Sequence, residues 1–138
     1  MTAREKRIDG LLLVLLLIYC AASLIHFAHN AVFVASYPNL PEWLSSGVVV
    51  AAWLGITAVG IAGYGMFRAG YRFMGLVVTG VYGALGLDGL EHYTRAPISA
   101  HSFAMNFTIG FEVLAAVLVL IAVAILMARQ LQTRRAVY

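Results

Sequence analysis

Residues 11–34 read LLLVLLLIYCAASLIHFAHNAVFV, an apolar run without a formal charge that closes on two histidines and an asparagine. As an α-helix rising 1.5 Å per residue, such a run covers roughly the 30 Å hydrocarbon core of a bilayer. It follows the basic leader Thr2-Ala3-Arg4-Glu5-Lys6-Arg7, an order shared with secretory signals. The run is longer than the apolar region of such a signal, and Ala21, Ala22 and Ser23 lead into more membrane-like sequence, so we read a retained helix.

Three further runs of this kind follow, at about residues 44–67, 73–93 and 103–127, with a tail over 128–138. Of the 138 residues, 62% are hydrophobic and only 11% charged, against about 25% charged in soluble domains. Mean hydropathy is +0.90. This excludes a disordered chain and a nucleic-acid binder, and the single Cys20 excludes a disulfide scaffold. The expected architecture is all-α: one membrane domain, residues 1–138, forming a four-transmembrane-helix bundle in the lipid bilayer.

Lysine and arginine beside a membrane mark its cytoplasmic side. Arg4, Lys6, Arg7, Arg68, Arg72, Arg129, Arg134 and Arg135 all fall on one side of the expected bundle, and only Arg95 falls on the other. Both termini are therefore predicted to be cytoplasmic, in a multi-pass cell membrane protein of the bacterial inner-membrane type. The net charge of +3 follows from this topology and needs no acidic partner.

The remaining polar residues then sort themselves. His26, His29, His92 and His101, with Glu42, Asp88, Glu91 and Glu112, all fall in the outer half. On a helix, residues three or four apart share a face. His26, His29 and Asn30 have that spacing, as do Asp88, Glu91 and His92, and His101, Met105, Thr108 and Glu112 extend it along the fourth helix. Ionisable groups in hydrocarbon are costly and normally face a bundle interior or a cavity. With Arg95 the only nearby base, this collection lacks positive charge, which a bound cation would supply.

Imidazole with carboxylate is the mixed donor set of zinc and non-haem iron sites, and imidazole also suits copper. The expected metal ligands are drawn from His26, His29, Asp88, His92, His101 and Glu112, with Glu112 or Glu91 as proton carrier should the site be catalytic. Asp88, three residues, then His92 is similar to part of the copper motif in the C-type subunit of particulate methane and ammonia monooxygenases. That resemblance is confined to a few residues of the third helix and implies copper on Asp88 and His92. The family's next histidine stands farther along than His101, which follows His92 after eight residues.

The alternatives are a small haem b cytochrome using His26 or His29 opposite His92, and a structural or proton-carrying subunit without cofactor. Expected partners are a lipid-soluble small molecule and either a second copy or a larger membrane complex. Gly75, Thr79, Gly83 and Gly86 form a small-residue stripe suited to close helix contact, within the chain or between copies. Gly60, Gly63 and Gly65 are expected to add little to the packing.

Overall fold

The computed structural model describes residues 3–135, with side chains from Arg7 to Gln132. The side chains of Arg4, Lys6, Arg134 and Arg135, and residues 136–138 of the tail, lie outside the described residues. The described chain is helical without strands: α1 (Ala3–Val32), α2 (Ser46–Arg68), α3 (Arg72–Leu85), a short α4 (Glu91–Arg95) and α5 (Phe103–Arg135). Four stretches are long and apolar enough to cross a membrane: Arg7–Val32, Ser46–Arg68, Arg72–Arg95 and Phe103–Gln132. The helices overrun the apolar runs at both chain ends, because helix and membrane span are different quantities. Hydropathy marks only the second.

α1 packs against α2 and α5, and α3 packs against the same two helices, which closes the spans into a ring. The start of α1, the end of α5 and the 69–71 turn lie at one end of the bundle, the terminal end. Residues 33–45 and 96–102 lie at the other, the loop end. At the terminal end, Arg72 donates to both carboxylate oxygens of Asp9, at 2.7 and 3.2 Å, and its guanidinium sits 4.3 Å from the Phe67 ring centre. Asp9 is buried, so the pair ties the start of α1 to the start of α3.

The small-residue stripe of α3 is used inside the chain. A Cβ on Gly75 would stand 2.6 Å from Phe67 Cα, and one on Gly83 would stand 3.2 Å from the Leu120 side chain. Gly86 leaves room for Tyr19, whose phenol donates to the Tyr82 carbonyl at 3.2 Å. The expectation for α2 needs correction at two glycines. Gly60 and Gly63 are buried, and a Cβ on either would approach Tyr82 or Thr79 to 2.7 Å. These contacts let the α2 and α3 backbones close up, the main packing device where lipid is as apolar as the protein. Gly65 faces open space.

The third span is not one continuous helix. α3 stops at Leu85, residues Asp88–Leu90 form a 3-10 turn, and α4 resumes at Glu91. Gly86 and Gly89 in this short stretch weaken the helix, and tighter bonds, Leu87 N to Ala84 O at 3.1 Å and Leu90 N to Leu87 O at 3.0 Å, replace its regular ladder. This break sets the direction of every polar side chain that follows it.

Candidate functional site

At the loop end, α1 delivers His26 and Asn30 to the bundle interior, one turn apart, and both are buried. α5 delivers Thr108 and Glu112 opposite them; His26 is 2% exposed and Glu112 1%. The broken third span brings Gly89 against Glu112, with the position of a Gly89 Cβ 3.6 Å from Oε2, and swings His92 over the top. The His92 ring centre lies 5.5 Å from that of His26, 6.1 Å from that of His101 and 4.9 Å from that of Tyr37.

The hydrogen bonds fix which ring nitrogen carries each proton. Asn30 Nδ2 can only donate, and it lies 3.1 Å from His26 Nε2 and 3.4 Å from His92 Nε2, so both of those nitrogens accept. His26 Nδ1 lies 3.3 Å from Thr108 Oγ1, whose own hydrogen goes to the Met105 carbonyl at 3.1 Å. His26 Nδ1–H therefore donates to Thr108. His101 Nδ1–H donates to the Pro97 carbonyl at 3.1 Å, which leaves its buried Nε2 without a partner. Three imidazoles thus carry the proton on Nδ1 and leave Nε2 unprotonated, those of His26 and His92 accepting from Asn30 and that of His101 without a partner.

Glu112 Oε2 is buried without a hydrogen-bond partner, and His26 Nε2 is 3.6 Å away. That is too long for a hydrogen bond. It is close to the separation of about 3.3 Å between two donors on one tetrahedral metal with bonds of about 2.0–2.1 Å. Among the described residues, however, no three His, Cys, Asp or Glu side chains stand close enough together to hold a metal ion. A third ligand requires His92 to move in, and the Asn30 amide now bridges the two imidazoles where such a cation would sit.

A cavity of about 250 Å³ opens beside this cluster. Its lining combines the polar His26, Asn30, Asp88, His92 and Glu112 with the apolar Phe27, Trp43, Leu44, Val48 and Val49. Of the residues singled out in the sequence, His26, His92, Glu112 and Asp88 share the cavity and His101 stands behind His92. His29 does not line it; its Nδ1 pairs with the Tyr37 hydroxyl at 2.8 Å. Glu91 lines the mouth, is exposed, and is ion-paired with Arg95. Tyr37 belongs to the 33–45 loop, outside the stretches long and apolar enough to cross a membrane, and burial pushes its phenol up to about 12.

Two participants stood on the polar stripes of the sequence but were not given a role at the site. Asn30 and Thr108 are uncharged, yet they orient the imidazoles; their signal was a position one turn from His26 and one turn from Glu112. No known protein family, curated protein or solved structure matches the chain.

Proposed function

We propose that the chain is an integral membrane protein with both termini cytoplasmic, whose loop end binds one transition-metal ion. His26 Nε2 and Glu112 are the first two ligands, His92 the third after Asn30 withdraws, and the remaining position opens on the cavity. Asp88 and His101 flank the ion. The observation that carries this reading is the pair formed by His26 Nε2, unprotonated by tautomer, and the unpartnered Glu112 Oε2, 3.6 Å apart. Metal-ligating histidines usually donate their other ring N–H to a nearby oxygen, which fixes tautomer and ring orientation. His26 and His101 both do so here. Zinc, copper and iron(II) suit the donor set.

The test is metal analysis of detergent-purified protein after loading with each ion in turn. Stoichiometric metal in the wild type, lost in His26→Ala, His92→Ala and Glu112→Gln with helix content retained, is the expected result. Folded protein that takes up none of the three metals refutes the proposal. A second reading, a proton-carrying site without metal, draws on the cavity that runs from the loop surface to Glu112, and that metal-free outcome would favour it. Reporter fusions at residue 138 separately test the topology, with cytoplasmic reporters active and periplasmic ones silent.

A further inference from the structure

The geometry points to the cavity beside the proposed metal as a binding site for the hydroxyl-bearing aromatic head of a lipid-soluble molecule, a phenol or hydroquinone. This rests on the metal reading in one respect: a divalent ion on His26 and Glu112 repels a cationic head and leaves a neutral one. The cavity's own features supply the rest. Its floor keeps a free acceptor even with Glu112 on the ion, since Asn30 Oδ1 is buried without a hydrogen-bond partner, and Asn30 is only 8% exposed. An occupant must therefore bring a donor. A hydroxyl provides one at no cost in buried charge.

The walls favour a ring. Phe27 and Trp43 line the cavity together with the imidazoles of His26 and His92, the Phe27 ring edge-on to that of His26 at 5.8 Å, and an aromatic guest pairs well with such rings. About 250 Å³ falls just below the roughly 300–1,000 Å³ that enclose whole drug-sized ligands. The cavity therefore takes a head group and leaves a tail outside. The way out is set by Val48 and Ala52 of α2 and Leu85 of α3, which line the cavity and are also exposed. They belong to spans long and apolar enough for a bilayer, so the tail leaves sideways into lipid and the molecule arrives from there.

Titration of a short-chain alkyl hydroquinone into metal-loaded protein, followed by fluorescence in a Trp53→Phe background, reports on Trp43 at the cavity wall. The expected result is saturable quenching, weakened at least tenfold by Ala52→Phe. That substitution fills the cavity from an exposed position, so metal content and helix content should stay at wild-type values. An n-alkanol of equal length should bind at least tenfold more weakly than the hydroquinone. Unsaturable quenching, equal affinity in Ala52→Phe, or equal affinity for the alkanol overturns the assignment. Metal content measured on the same samples separates this from failure of the metal site: absent metal with hydroquinone still bound in the Ala52-sensitive way refutes the metal alone.

Discussion

Replacing Thr108 by valine tests whether the tautomer of His26 has a purpose. The substitution keeps the side chain's shape and removes the oxygen that accepts from His26 Nδ1–H at 3.3 Å. Left as it is, a buried N–H without an acceptor costs about 1–3 kcal/mol. The ring escapes part of that cost only by shifting its proton to Nε2, toward Glu112 Oε2 3.6 Å away, once the Asn30 amide that donates to that nitrogen turns aside. The escape uses up the lone pair a metal needs. Binding must then reverse the shift, and the expected loss is the 10–100-fold in affinity typical of lost outer-shell partners, about 1.4–2.7 kcal/mol. Competition with a chelator of known affinity, run with zinc and cobalt(II), measures it directly. Thr57→Val is the control: its hydroxyl, on α2 and away from the histidines, is also buried without a hydrogen-bond partner, and its removal should leave metal affinity unchanged. If Thr108→Val binds metal as tightly as the wild type, the hydrogen-bond order around His26 has no bearing on a metal.

Three further expectations concern the scaffold. Gly75→Ala places a Cβ 2.6 Å from Phe67 Cα and 2.8 Å from the Gly63 carbonyl, and should destabilise by about 1–3 kcal/mol; Gly65→Ala, which meets nothing, should gain up to about 1 kcal/mol, and thermal unfolding in detergent compares the two. Arg72→Ala strands the buried Asp9 carboxylate; because the Arg72 side chain is 38% exposed, the cost should be about 2 kcal/mol, less than the 3–5 kcal/mol of a fully buried pair, and Asp9→Asn added to it should recover stability. For Tyr37, the folded phenol keeps its proton up to about 12 against an ordinary value of 10. Above pH 10 the unfolded chain therefore binds fewer protons than the folded one. The stability this phenol contributes is intact below pH 10 and falls between pH 10 and about 12, by at most about 1.4 kcal/mol per pH unit. Tyr37→Phe should flatten that alkaline decline in a denaturation series.

Much of the architecture was legible because long, nearly charge-free apolar runs are stable only where lipid surrounds them, and the four spans fall where hydropathy places them. The gathering of polar groups at one end was legible as well: an alternation of up and down spans carries the end of one helix and the start of the next to the same side. Directions within that end were harder to read. The spacing groups Asp88, Glu91 and His92 on one face, and all three do line one cavity, but the break after Leu85 was not expected, nor were the pairing of Glu91 with Arg95 and the seat of His92 5.5 Å from the His26 ring centre. Gly86 and Gly89 were the available sign. Asp9 was hidden by its company, one of two acids, with Glu5, in a basic N-terminal stretch, although its pairing with Arg72 links two spans 63 residues apart in sequence. Gly60 and Gly63 were underrated because a glycine's role depends on what faces it, here Tyr82 and Thr79, and one strand of sequence does not carry that information.

The backbones of α2 and α3 meet most closely around Gly63 and Gly75, beside the Asp9–Arg72 clamp and at the end of the bundle away from the histidines. The third span gives up its regular ladder only past Leu85, on the histidines' side. A shift of His92 toward His26 would therefore fall on the 86–90 stretch, where regular helical bonds are already lost, and would leave the glycine contacts at the far end in place.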